Sequence, residues 1–176
     1  MHTFLANLSL HSWRVDVPAE RSNVPERIFT RYGELPSALA SFMKSFSRCL
    51  APSEDAWFVS WDDLSRTVPD EEFRFDAFES LSLDAASEDP AWLKSIRSFW
   101  DQHFPFYLAV NGEYQYFAVA LAGAERGCVV YGHEPEFESC TIVSRSLPDF
   151  LAMFSSALES SLPTYPFNCA IPRNAP

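Results

Sequence analysis

The sequence predicts an α+β fold, a single domain in which an antiparallel or mixed β-sheet carries packed helices. Three observations lead there. Apolar residues recur at helical spacing in separate segments, an Asn-Gly dipeptide lies between two strand-like runs, and two further strand-like runs precede a last capped helix. With 176 residues, 47% hydrophobic and 15% aromatic, the chain holds enough core material for one domain over residues 1–176.

Residues 8–17 alternate imperfectly and read as a strand. Val24, Ile28 and Tyr32 recur at helical spacing behind Ser22 and Asn23, which can cap a helix. Pro36 then opens a helix whose Leu35, Leu39, Phe42, Met43, Phe46 and Leu50 make one apolar stripe running to Pro52. Trp57, Val59 and Trp61 alternate as in a strand, and Phe73, Phe75, Phe78 and Leu81 fit either a strand or a helix. Asp89-Pro90 starts a helix with Trp92, Ile96, Phe99, Trp100 and His103 on one face, ended by Pro105.

A hairpin follows, because Asn111-Gly112 tolerates the positive φ angles of a two-residue turn and is flanked by Phe106–Val110 and Glu113–Val119. In that register Val110 opposes Glu113, Ala109 opposes Tyr114 and Tyr107 opposes Tyr116. Phe106, Leu108, Val110, Phe117 and Val119 then share a core face. Tyr107, Tyr114 and Tyr116 share the other, either as a wet binding surface or covered by further chain with their hydroxyls bonded internally. Gly127–Tyr131 and Cys140–Val143 supply two strands. Ser146 begins a final helix with Leu147, Phe150, Leu151, Phe154 and Leu158 inward and Asp149 placed for capping. The proline-rich residues 163–176 read as an irregular tail.

Charge is unevenly spread. Twelve of the 24 acidic residues lie between Glu54 and Asp89, opposed only by Arg66 and Arg74, so this segment carries −10 of the net −11. Such a field either keeps a surface solvated or steers a basic partner. It also repels phosphates, which argues against direct nucleic-acid binding. The first residues lack the pattern of a signal peptide and no apolar run is long enough to span a bilayer, so a cytoplasmic protein without membrane contact is expected. Cys49, Cys128, Cys140 and Cys169 are too sparse for a disulfide scaffold and contain no Cys-x-x-Cys pair.

Residues able to carry chemistry form no catalytic pattern. His133-Glu134-Pro135-Glu136 with Glu138 lacks the spacing that sets two imidazoles on one helical face, and an acidic loop is the favoured reading. His103 ends an apolar stripe and reads as a partly buried, satisfied histidine. Asp62-Asp63 and Asp70-Glu71-Glu72 read as solvated charges, since neighbours on a strand point to opposite faces. No nucleophile elbow or phosphate-binding glycine loop is present, and Cys49 or Cys128 becomes a catalytic partner of His103 only if the fold joins them. The expectation is a non-enzyme with no metal and no cofactor.

A set of segments resembles the SUKH superfamily, which includes the Smi/Knr-like proteins. It comprises Trp100, Phe104-Pro105-Phe106, the Asn111-Gly112 turn with its Tyr-Gln-Tyr-Phe strand, Gly127-Cys-Val-Val, the His133-Glu134 loop, Val143, and Ser146-Leu-Pro-Asp-Phe-Leu. Gly33-Glu34-Leu35-Pro36 is similar to the family's early Leu-Pro helix. About 55 residues match well, mostly residues that build a fold. The paired glycines that commonly follow the early helix are replaced by Cys49-Leu-Ala-Pro-Ser, and the acidic segment before Pro90 is long.

The resemblance implies a SUKH-like sheet fold and, for many bacterial members, an immunity protein that neutralises a polymorphic toxin, often a nuclease. Other members are regulators or scaffolds, so a Smi/Knr-type protein binding an endogenous partner is the alternative, and a small hydrolase is a third class. The expected partner is a basic toxin domain. The expected surface combines Asp62, Asp63, Asp70, Glu71, Glu72, Asp76, Glu79, Glu134, Glu136 and Glu138 with Trp57, Trp61, Tyr114 and Tyr116 as aromatic anchors.

Overall fold

Strands follow one another across a single sheet in the order in which they occur in the chain, in a computed structural model that describes residues 2–18, 26–65 and 74–172. In chain order the elements are α1 (His2–Leu10), β1 (Arg14–Asp16), α2 (Glu26–Tyr32), α3 (Ser37–Met43), β2 (Arg48–Leu50), β3 (Ala56–Phe58) and α4 (Trp61–Ser65). They continue with α5 (Ala77–Ala85), α6 (Pro90–Gln102), β4 (His103–Ala109), β5 (Gln115–Ala120), β6 (Val129–His133), β7 (Thr141–Ser144), α7 (Leu147–Glu159) and α8 (Phe167–Ala170). All seven strands pair antiparallel with their neighbours, and the chain is an α+β protein.

The central strands are covered on both faces. Every residue of β5 is buried, which removes the polar/apolar alternation of a half-exposed strand. On one face Phe58, Tyr107 and Phe117 meet Phe4 of α1, Phe42 of α3, Phe150 and Phe154 of α7 and Phe167 of α8. On the other, Tyr116 packs on Phe78 of α5 and Trp100 of α6.

The hairpin therefore differs from its predicted register. Gly112 has a positive φ as expected, but Ala109 opposes Gln115, Leu108 opposes Tyr116 and Tyr107 opposes Phe117. The connection is one residue wider than a two-residue turn, so Tyr107 and Tyr116 lie on opposite faces and Leu108 shares a face with Tyr116. A bulge between Pro105 and Tyr107 also brings Phe106 beside Phe42 and Phe150, the layer that holds Tyr107. Beyond the hairpin, Tyr116 lies across Gly132, its partner on β6. A Cβ at 132 would sit 2.5 Å from Cζ of Tyr116, so glycine is what lets the ring cross the strand.

Four other boundaries moved. Phe4 and Leu8, one helical turn apart and both buried, put residues 2–10 in α1, so the strand expected over 8–17 is confined to Arg14–Asp16. α3 ends at Met43 because the Ser45 hydroxyl donates to the Phe42 carbonyl at 2.6 Å and Ser47 N–H bonds to Asp16 O at 2.8 Å, which starts the β1–β2 pairing. Phe46 and Cys49 remain core residues, but Cys49 and Leu50 belong to β2. Trp61 opens α4 instead of continuing a strand, since Ser60 and Asp63 cap that helix reciprocally, with Asp63 N–H on Ser60 Oγ at 3.1 Å and Ser60 N–H on Asp63 Oδ2 at 2.7 Å. Pro105 lies inside β4, at its bulge, and α6 stops at Gln102.

Two helix starts match their caps. Asp89 accepts from the N–H groups of Ala91 and Trp92, and Ser146 Oγ accepts from Asp149 N–H at 3.2 Å. The expected irregular tail contains α8, held by Tyr107, whose hydroxyl donates to Ala170 O at 2.6 Å, and by Asn111, whose amide donates to Cys169 O at 2.9 Å.

Candidate binding surface

The acidic segment is not one open face. Glu79 is 7% exposed, and both of its oxygens accept from Arg31 at 2.7 Å, while Arg31 Nε also donates to Asp101 at 2.8 Å. This ties α2 to α5 and α6, and it removes Glu79 from the predicted surface because a buried, doubly bonded carboxylate cannot meet a partner. Asp76 pairs with Arg74 at 2.9 and 2.5 Å, and Asp63 caps α4, where Asp62 is half-buried in the first turn. Asp70, Glu71 and Glu72 lie outside the described residues.

The aromatic anchors are redistributed as well. Trp61 is 6% exposed beneath the Lys44 ammonium, 4.2 Å from its ring centroid, and Trp57 is half-buried. Tyr116 is fully buried and donates to Phe137 O at 2.5 Å, so it leaves the surface too. Tyr114 is half-buried and stacks on Phe78 with centroids 5.6 Å apart. Burial pushes the Tyr107 and Tyr116 hydroxyls well above their ordinary pKa, which keeps them neutral donors to the backbone. The covered alternative for the tyrosine face is the one realised for these two residues.

The His133–Glu138 loop is strapped down. Tyr114 N–H donates to Glu134 Oε1 at 3.0 Å, Glu134 N–H donates to Tyr114 O at 2.9 Å, and Trp100 Nε1 donates to Glu138 at 2.8 Å. Phe137 is buried between them, stacked on Phe78 at 4.9 Å. Glu136 is the loop carboxylate that stands exposed. His133 Nδ1 lies 2.7 Å from Glu134 O. Among the described residues, no three His, Cys, Asp or Glu side chains are placed to hold a metal ion, all four cysteines are unpaired, and no helix is long and apolar enough to cross a membrane.

His103 is held by its own helix end. Its ring stacks on Phe99 with centroids 4.1 Å apart, and Nδ1 lies 2.9 Å from Phe99 O, so Nδ1 carries the proton and donates. Burial pushes its pKa below the ordinary 6.5, against the smaller opposing effects of the Phe99 carbonyl and Glu125. The unfolded chain therefore binds this proton first: the contribution is complete above pH 6.5 and is lost as pH falls through 6.5 toward the folded value. The melting temperature of the wild type should drop more between about pH 7.5 and about pH 5.5 than that of His103→Gln. Equal drops would place the acid sensitivity elsewhere.

An open acidic corner lies where α5 turns into α6. Asp84, Glu88 and Asp89 are exposed there, together with Leu81 and with Trp92, which is 48% exposed in the first turn of α6. Trp92 was expected on the core stripe with Ile96 and Trp100. It falls outside because Asp89 and Pro90 start the helix only two residues earlier, at the open end of the α5–α6 pair. That cap is legible in the sequence and is the signal that could have separated Trp92 from the stripe. An exposed indole on the same α5–α6 corner as exposed carboxylates suits a cationic partner, by cation–π contact with the ring and charge pairing with the acidic residues. The chain matches no protein-family profile, no curated protein and no solved structure.

Proposed function

We propose that this chain is a non-catalytic binding protein, an immunity protein of SUKH type that acts in the cytoplasm by covering the basic active face of a toxin. The observation that carries it is the α5–α6 corner, where Asp84, Glu88 and Asp89 stand exposed at the end of the segment that holds −10 of the net charge, and Trp92 stands exposed just after it in the first turn of α6. The field of that segment draws a basic domain in, Trp92 anchors it, and the acidic rim occupies the cationic groove that would otherwise receive nucleic acid. The family resemblance of residues 100–151 supports the same role.

The test looks for an adjacent reading frame that encodes a toxin domain and pairs the chain with that domain; the lack of such a frame would count against the immunity role. Wild-type protein should rescue growth of cells expressing that domain, and its association rate should fall steeply with salt, as expected for charges screened over about 10 Å at 0.1 M. Trp92→Ala with Asp84→Asn and Glu88→Gln should slow association about tenfold or more at low salt while leaving the melting temperature near that of the wild type. Unchanged association would remove this corner from the mechanism, and failure of the wild type to rescue would remove the immunity role.

A further inference from the structure

On the far side of the sheet, helices α1 and α7 lie together, and a groove of about 490 Å³ runs between them. Phe4, Leu147, Leu151 and Ala152 give it an apolar lining, and its polar residues are Thr3, Asn7, Ser155 and Glu159, of which Glu159 alone is charged. Its size is that of a small-molecule site.

The polar groups are unbalanced. Asn7 Nδ2 donates to Glu159 Oε1 at 2.6 Å, which fixes the orientation of the amide and leaves Asn7 Oδ1 buried with no hydrogen-bond partner among the described residues. Glu159 is the last residue of α7, where the helix presents its negative end, and no basic residue occupies that last turn. It forms no ion pair with a Lys or Arg among the described residues. A carboxylate, an orphaned amide oxygen and a helix C-terminus all call for a cation with several hydrogen-bond donors, and the apolar lining calls for a hydrocarbon body attached to it.

We propose that the α1–α7 groove binds an amphiphilic primary amine, with its alkyl body along Phe4, Leu147 and Leu151 and its ammonium between Glu159 and Asn7. The three N–H groups of the ammonium can serve both the Glu159 carboxylate and the Asn7 oxygen.

The probes are n-octylammonium, n-octanol, octanoate and ethylammonium, each titrated into the full chain below micelle-forming concentration and followed by backbone amide NMR. Octylammonium should shift amides of α1 and α7, and the other three should bind about tenfold more weakly or worse, the difference expected for a hydrogen bond to a charged group. Glu159→Gln should weaken octylammonium about tenfold and leave octanol unchanged. Ala152→Leu, at an exposed position that fills the groove, should abolish binding while the melting temperature shows the fold intact. Equal binding of octanol or ethylammonium, insensitivity to Glu159→Gln, or shifts confined to the α5–α6 corner would each overturn the proposal.

Discussion

Replacing Phe58 by Ala should destabilise the protein by about 3–5 kcal/mol, the range for truncating a buried phenylalanine. Phe58 is 1% exposed at the end of β3, and its ring meets Phe4 at 5.6 Å, Trp13 at 5.7 Å, Phe42 at 5.4 Å, Tyr107 at 4.9 Å and Phe154 at 5.1 Å between centroids. These neighbours come from α1, the α1–β1 turn, α3, β4 and α7, so the cavity would open where four elements and a turn converge and none can collapse into it alone. Against a total stability of about 5–15 kcal/mol, the variant would be marginal. Urea unfolding followed by tryptophan fluorescence measures the loss. Phe29→Ala is the matched control, since Phe29 is 63% exposed and its truncation should fall within about 0.5 kcal/mol of wild type. A loss below about 1 kcal/mol for Phe58→Ala would mean that the aromatic cluster is not the energetic centre of this fold.

The aromatic centre was visible in the sequence as composition, and its partners only as pattern. Helices α6 and α7 were legible because a local cap coincides with an amphipathic stripe in each: Asp89-Pro90 before Ile96 and Trp100, and Ser146 with Asp149 before Phe150 and Phe154. The hairpin was legible as a hairpin, but its register was not. When both faces of a strand pair are buried, sliding by one residue pairs Tyr107 with Phe117 and Leu108 with Tyr116 in place of Tyr107 with Tyr116 and keeps every one of these side chains in an apolar layer, so hydrophobic alternation no longer selects the register. The helix predicted from Pro36 is too long for a similar reason. Phe46 and Leu50 extend a helical stripe, yet the fate of residues 48–50 is decided by Arg14–Asp16 more than thirty residues upstream.

The candidate surface divides the same way. Net charge is additive, so the acidic segment could be counted from the chain alone, whereas the occupation of each carboxylate depends on contacts distant in sequence. Glu138 is spent on Trp100 and Glu134 on Tyr114, and neither pairing has a local signature. Exposure of Trp92 follows from where α5 stops relative to α6, a tertiary fact only hinted at by the Asp89 cap.

Removal of the Arg31 side chain should have the second large effect, about 3–5 kcal/mol, because it leaves a buried carboxylate unpaired. Glu79 has a side chain 9% exposed and takes both of its charge-assisted bonds from Arg31 at 2.7 Å. Arg31→Met keeps much of the side-chain volume while deleting the charge, so the loss reports the stranded Glu79 more than a cavity. Glu79→Leu combined with Arg31→Met should recover most of that loss, since an apolar pair of similar volume has no desolvation cost to offset. The outer arm should matter far less: Asp101 has a side chain 52% exposed, and Asp101→Asn should change stability by about 0–1 kcal/mol, less at high salt. A double-mutant cycle in urea gives the Arg31–Glu79 coupling directly, with salt expected to weaken it less than the exposed Asp101 arm because Glu79 is buried. If both single variants stay within about 1 kcal/mol of wild type, the pair is not what holds α2 onto α5 and α6. If instead Arg31→Met weakens the fold and the double variant does not restore it, the guanidinium's own packing, including its 5.0 Å approach to the Tyr32 ring, is the dominant contribution.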